Sequence, residues 1–280
     1  MNVAIATFVD LPEGDEDTPA LIAELGALGH RAEAVRWDGP ADWAAYDLVL
    51  VRSTWDYSTR LGEFLDWAAR VPRLENTAEV LRWNTDKSYL RELGAAGVPV
   101  VPTLWDPAEL PEWPDYVIKP AVSAGARDTA RWSAEEAVPA AAHLARLRGE
   151  GRTVMVQPYL DAVDTAGETA LVFFDGEFSH AVRKAPILTA GAGVQPMIAD
   201  TKDEREQITP RAASKAELAL AAAVLAAAPG NPLYARIDFI PGPDGDPVLL
   251  ELELAEPSLF LHHAPGSAAR LASAIVKRLG

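Results

Sequence analysis

Apolar positions along the first fifty residues fall into short runs separated by helical spacing. Asn2 to Val9 is an almost unbroken apolar run, Thr18 to Leu28 has helical periodicity and stops at Gly29, and Arg31 to Trp37 and Tyr46 to Val51 read as second and third strands. Strands alternating with helices predict a small parallel α/β layer whose ligand-facing loops lie at the carboxyl ends of its strands. Arg52-Ser53-Thr54-Trp55-Asp56 follows such a strand end.

The pattern changes at Asn84. A helix carrying Asp86, Lys87 and Leu90 is expected to end near Gly94 to Gly97, with Pro99 and Pro102 bracketing an extended segment. Tyr116 to Lys119 and Thr129 to Trp132 then read as strands around a small-residue loop, Ser123 to Ala126, and an alanine-rich helix spans Ser133 to Arg148. Thr153 to Leu160 is a further strand. Leu171 to Phe174 and Phe178 to Val182 flank Asp175-Gly176, a strong hairpin signal. Ala190 to Thr209 has little periodicity and is expected to be a long loop acting as a lid. A helix over Ala212 to Ala228 leads to a second hairpin, Tyr234 to Ile240 and Val248 to Leu254, turned by Pro241 to Pro247, and a last helix runs from about Gly266 to Leu279.

Composition narrows the function classes. Of the 280 residues 49% are hydrophobic and 24% charged, which suits a folded enzyme and rules out a wholly disordered chain. The formal charge of −16 repels polyanions, so no nucleic-acid partner is expected and any nucleotide must be held by a local basic cluster. With no cysteine, disulfides, thiolate nucleophiles and cysteine-ligated zinc are excluded. The N-terminus shows no secretory pattern, and the longest greasy stretch, Leu218 to Ala228, is about half a bilayer span, so a cytoplasmic protein without membrane contact is expected.

The candidate chemistry concentrates on the second hairpin. Alternation along a strand puts Arg236 and Asp238 on one face, and Glu251 and Glu253 share a face opposite Leu250, Leu252 and Leu254. If Asp238 lies opposite Glu251, three carboxylates converge, and oxygen-only ligands select magnesium or manganese. The alternative is a solvated face with Arg236 paired to a glutamate. Lys119 ends a strand just before Ser123-Ala124-Gly125-Ala126, where small side chains let backbone N–H groups approach phosphate oxygens. The alternative for Lys119 is a solvated strand end. There is no Walker A motif, no Gly-x-Ser-x-Gly elbow and no His-Glu-x-x-His helix; His262-His263 reads as structural, the alternative being a base or a metal ligand.

The order of these pieces resembles the ATP-grasp superfamily over nearly the whole chain. Asn84-Thr85-Asp86-Lys87 is similar to the family's first phosphate-binding segment, Val117-Ile118-Lys119-Pro120 to the second, and the loop holding Ser123 and Gly125 to the flexible loop over the triphosphate. Val156 to Leu160, with Gln157, Pro158, Tyr159 and Leu160, resembles the hinge whose backbone reads adenine, with Glu168 in the place of the ribose ligand. Asp238 and Glu251 match the metal-binding acids, and Glu253 stands where many members have asparagine. Arg52 to Tyr57, Phe178 to Lys184 and Glu251 to Leu261, which contains Ser258, resemble more narrowly the cyclo-ligases of D-cycloserine biosynthesis. A Gly-Asp-Phe-Arg type segment common there after Lys184-Ala185-Pro186 is missing, since Ile187 to Gln195 has no arginine, and Arg211 is a candidate replacement.

The resemblance implies an α/β pre-ATP-grasp domain (1–82) before an α+β ATP-grasp domain (83–280), the latter divided into a small lobe (83–155) and a C-terminal lobe (156–280). It implies ATP with two magnesium ions, manganese being a substitute, and a monomer or homodimer. The implied reaction activates an amino-acid-like carboxylate as an acyl phosphate for a nitrogen nucleophile, with Arg236 and Lys184 stabilising the transition state. Arg52, Ser53, Asp56 and Ser258 would hold the substrate. The alternatives are an intermolecular amino-acid or peptide ligase and a non-catalytic nucleotide-binding protein.

Overall fold

The computed structural model describes residues 1–194 and 207–280. The N-terminal layer comprises β1 (Asn2–Thr7), α1 (Thr18–Ala27), β2 (Arg31–Arg36), β3 (Leu48–Ser53), α2 (Leu61–Arg70) and β4 (Leu74–Glu75), its strands running parallel in the order β2-β1-β3-β4. β1 and β3 are buried almost throughout, as an α/β sheet covered on both faces requires. The Asp15 carboxylate starts α1 by accepting the Thr18 N–H at 3.1 Å and hydroxyl at 2.7 Å. α2 has no counterpart in the sequence reading. It buries Phe64, Trp67 and Ala68 on one face, and Trp37 packs edge-on to Phe64 with ring centroids 5.6 Å apart.

The single helix expected from Asn84 is two: α3 (Ala78–Asn84) and α4 (Tyr89–Ala95). The break has a local cause. The Lys87 N–H donates to the Ala121 carbonyl at 3.0 Å, and Asp86 Oδ1 accepts from the Ser88 N–H at 2.9 Å. Both bonds compete with the helical pattern. Lys87 therefore sits in a turn, tied to the strand that carries Lys119.

β5 (Leu104–Trp105), β6 (Asp115–Pro120), β7 (Ala130–Ser133), α5 (Ala137–Gly149) and β8 (Val154–Pro158) form an antiparallel sheet, β5-β8-β6-β7, with α5 packed on one face. α6 (Ala162–Ala166), β9 (Glu168–Phe174), β10 (Glu177–Lys184), β11 (Ile208–Arg211), α7 (Lys215–Ala227), β12 (Tyr234–Pro241), β13 (Pro247–Glu253) and α8 (Ser267–Leu279) complete the chain. Their strands make a five-stranded antiparallel sheet, β11-β10-β9-β12-β13. Asp175 and Gly176 both take left-handed φ, 49° and 81°, as a two-residue hairpin turn demands. β11 begins within the last two residues of the segment expected to be a loop and runs past its end, and residues 195–206 of the expected lid lie outside the described residues. Among the described residues, no helix is long and apolar enough to cross a membrane.

β13 is a sheet edge, and side chains take the place of a sixth strand. The Asn84 amide donates to the Leu252 carbonyl at 2.8 Å and accepts from the Leu254 N–H at 2.7 Å, while the Tyr89 hydroxyl bonds both main-chain groups of Leu252. Asn76 likewise donates to the carbonyls of Tyr234 and Leu254 and accepts from the Leu233 N–H. α3 and α4 are thereby fastened to the strands that carry the acids.

In the small sheet His143 is held neutral. Its Nδ1 accepts from the Trp132 indole N–H at 3.1 Å, so Nε2 carries the proton and faces the Asp128 carbonyl at 3.0 Å. A second proton on Nδ1 would oppose Trp132, and burial pushes the pKa down from 6.5 to about 4. The unfolded chain therefore binds more protons than the folded one between these values. Stability is expected to fall by about 3 kcal/mol as pH drops from 6.5 to 4. Comparing unfolding midpoints of the wild type and His143→Gln across that range checks this: the variant should lose the corresponding part of the slope, and parallel curves would refute it.

Candidate active site

The register of the second hairpin sets the site. Asp238 pairs with Glu251 across β12 and β13, and Arg236 with Glu253, so the four charged side chains share a face, opposite the buried Ile237 and Leu252. A cavity of about 250 Å³ opens above them. It is lined by Lys119 from β6, by Gln157 and Pro158 from β8, by Lys184 from β10, and by Trp55 and Tyr57 from the segment after β3.

The charges are paired across the floor of the cavity. Arg236 grips Asp238 with two bonds of 3.0 Å and also contacts Glu253. Lys184 Nζ lies 3.0 Å from Asp238 and 2.9 Å from Glu168, and Lys87 Nζ lies 2.9 Å from Glu251. Burial disfavours charge on Asp238, but Arg236 and Lys184 outweigh it and hold the carboxyl below its ordinary range. Burial of Glu251 is outweighed in the same way by Lys87 and Lys119. Glu253 ends differently: buried, and set beside Glu251 and Asp238 with Arg236 already committed to Asp238, it is pushed up to about 7. Burial and then Glu253 push Glu256 up to about 8. Lys119 makes no salt bridge with the described residues, and burial lowers its pKa.

Gly167, at φ 73°, brings the start of β9 against the end of β10. A Cβ there would lie 2.4 Å from the Lys184 carbonyl oxygen, so glycine sets the approach that lets Glu168 meet Lys184. Ser123 closes the opposite wall. Its carbonyl accepts from Lys87 Nζ at 2.8 Å and its hydroxyl donates to the Arg127 carbonyl at 2.7 Å, while Gly125 and Ala126 turn the loop with left-handed φ of 57° and 54°. One end of the cavity is apolar, with Val101, Val117, Ile240 and Leu250 beside Tyr159 and Leu160. Gln157 itself turns to Thr103, donating at 2.9 Å.

The cavity thus gathers Lys87, Lys119, Ser123, Gly125, Gln157, Pro158, Tyr159, Leu160, Glu168, Lys184, Arg236, Asp238, Glu251, Glu253 and Ser258. It does not gather Arg52, Ser53 or Asp56. Arg52 is 2% exposed, donates to the Pro257 carbonyl at 2.7 Å and pairs with Asp15 at 3.2 Å. Ser53 donates to the Thr7 hydroxyl at 3.0 Å, and Asp56 accepts from the Trp37 indole at 2.8 Å and from Arg60. These three side chains organise the N-terminal layer. Arg211 binds Thr169 and Glu217 and does not line the cavity. Sequence reasoning passed over Trp55, Tyr57, Glu256 and Phe260, which do line it. All four lie inside stretches singled out for other members, and aromatic residues one and three positions beyond Arg52-Ser53-Thr54 were the available signal.

Asp238, Glu251 and Glu253 are oxygen donors of the kind magnesium takes, and their crowding is the strain a divalent cation relieves. Among the described residues, no three acids or histidines converge closely enough to hold an ion unaided. That fits magnesium, which takes one or two carboxylates and fills its remaining positions with phosphate oxygens and water.

Residues 3–77 match the family described as "D-cycloserine synthetase DcsG, N-terminal domain". The chain is 38% identical over 298 aligned positions to the cycloserine biosynthesis protein DcsG of Streptomyces lavendulae, covering 98% of this chain and 97% of that protein. The crystal structure of D-cycloserine synthetase DcsG superposes with a TM-score of 0.89 at 36% identity over the full length of both chains. The ATP-grasp ligase PsnB, in complex with a minimal precursor, Mg and ADP, superposes with a TM-score of 0.65 at 18% identity over 99% of this chain and 98% of its own. With its parallel layer, two antiparallel sheets and charged cleft, the chain belongs to the family of D-cycloserine synthetase DcsG, ligases of the ATP-grasp fold.

Proposed function

We propose that the protein is an ATP- and magnesium-dependent carbon–nitrogen ligase that turns an amino-acid-like carboxylate into an acyl phosphate and closes it, by attack of the molecule's own nitrogen, into a ring of the cycloserine kind. The observation that carries this is the single cavity in which four cationic side chains, Lys87, Lys119, Lys184 and Arg236, face Asp238, Glu251 and Glu253. Such a set suits a triphosphate and divalent ions far better than a neutral ligand.

The apolar slot beside Gln157 to Leu160 takes the adenine, with Glu168 toward the ribose, and Lys119 with the Ser123–Ala126 loop takes the phosphates. Asp238, Glu251 and Glu253 hold the metal, two ions being the stoichiometry and manganese a workable substitute; bound there, it draws charge from the phosphate oxygens. The substrate carboxylate oxygen attacks the γ-phosphorus and ADP leaves. The nitrogen then attacks the acyl carbon, loses its proton to solvent or phosphate, and phosphate departs as the C–N bond is completed. Arg236 and Lys184 face the oxyanion and the leaving phosphate. Trp55, Tyr57 and Ser258 bound the substrate end, the place first given to Arg52, Ser53 and Asp56.

ADP release on mixing the protein with ATP, magnesium and pools of amino acids tests the reading. Stimulation by at least one pool is expected, with a product built from one substrate molecule by mass spectrometry. A product built from two molecules would move the reading to intermolecular ligation. No stimulation by any pool would leave a nucleotide-binding protein without ligase activity.

A further inference from the structure

Every acid lining the cavity but one has a cationic side chain against it. Glu168 and Asp238 meet Lys184, Glu251 meets Lys87, and Glu253 meets Arg236. Glu256 makes no salt bridge with the described residues; Lys87, at longer range, and the Tyr57 hydroxyl are the groups that favour its charged form. Its main chain is nevertheless pinned. The Glu256 carbonyl accepts from the Trp55 indole N–H at 3.2 Å, and the next carbonyl, of Pro257, accepts from Arg52 at 2.7 Å. A carboxyl group held in place at a cavity wall beside Trp55 and Tyr57, with no cation against it, is completed by an organic cation, which supplies the missing charge partner and lets the acid ionise.

Two residues further along, the Ser258 carbonyl accepts from Arg236 Nη1 at 3.1 Å. The Glu256–Ser258 segment thus carries one acid of the cavity lining and touches Arg236, which lines the same cavity. We propose that Glu256 binds the ammonium group of a zwitterionic substrate whose carboxylate lies toward Arg236, so that the cleft selects free 2-amino acids and their cyclic derivatives over N-acylated ones. This deepens the ligase reading and rests on it for the fate of the carboxylate, while the ammonium site itself can be measured without turnover.

The test is isothermal titration of D-cycloserine, which carries a free primary amine, into the full chain saturated with magnesium and AMP-PNP, at about neutral pH. The wild type should bind it and refuse N-acetyl-D-cycloserine. Glu256→Gln should weaken D-cycloserine by about tenfold to a hundredfold, the worth of a charged hydrogen bond. Glu256→Asp should recover part of the loss, and AMP-PNP affinity should stay unchanged in both variants, which also shows that they fold. Equal binding by Glu256→Gln and wild type, equal binding of the N-acetyl compound, or no binding of D-cycloserine by the wild type overturns the proposal. ADP release by the same proteins, mixed with ATP, magnesium and the amino-acid pools in place of AMP-PNP and D-cycloserine, reads the ligase activity separately: Glu256-dependent binding of D-cycloserine with no turnover of any pool would sink the ligase reading and leave the ammonium site standing.

Discussion

Glu251→Gln is expected to lower ADP and phosphate release by at least about a hundredfold while leaving the unfolding midpoint within a few degrees of wild type. Glu251 joins three parts of the site: it pairs in register with Asp238, contacts Lys87 at 2.9 Å and, through Lys87, is linked to the Ser123 carbonyl that anchors the small-residue loop. Glutamine keeps the size and an acceptor oxygen for Lys87, so the packing survives. It removes the negative charge that balances Lys87 and Lys119 and that, on the ligase reading, holds a divalent ion. Glu251→Ala should be as inactive but less stable, since it strands a buried ammonium group. Phosphate production by Glu251→Gln at the wild-type rate would remove Glu251 from the metal set.

Period-two alternation is why this part of the site was legible from the chain alone. Asp238, Glu251 and Glu253 had to share a face once their strands formed a hairpin, and the turn between Pro241 and Pro247 left few registers to choose from. The Asp175-Gly176 hairpin was legible for the same reason, from turn chemistry within two residues. What escaped depends on partners far apart in sequence. The break at Lys87 comes from the Ala121 carbonyl, and the fate of Arg52 is decided by Pro257, 205 positions away. A charged residue at a strand's carboxyl end in an α/β layer reads as a ligand contact, and only packing shows whether the loop ahead of it turns the side chain into the cleft or beneath it. Here the side chain goes beneath, and the neighbouring aromatic residues take the cavity wall.

Arg52→Ala should therefore unfold the protein more readily and not merely weaken its hold on substrate. Arg52 is 2% exposed, and its guanidinium meets Asp15 at 3.2 Å, Asp17 at 3.9 Å and the Pro257 carbonyl at 2.7 Å. Its removal leaves the buried Asp15 without a cation and Asp17 with His262 alone, a loss of about 3 to 5 kcal/mol, or roughly 10 °C in the midpoint for a chain of this size. Arg52→Lys should recover little, because a single ammonium cannot serve carboxylate and carbonyl with the geometry of a guanidinium fork. Asp17 also accepts the N–H groups of Leu259 at 3.1 Å and Leu261 at 2.8 Å, so the damage should extend to the Glu256–Phe260 segment, which lines the cavity. Thermal unfolding followed by circular dichroism, with and without saturating AMP-PNP, separates the two roles. A midpoint equal to wild type combined with a raised KM for the amino acid would return Arg52 to the substrate. A collapsed midpoint that AMP-PNP only partly restores is the result the buried ion cluster dictates, since the nucleotide can add binding energy but cannot supply the missing charge beneath β3.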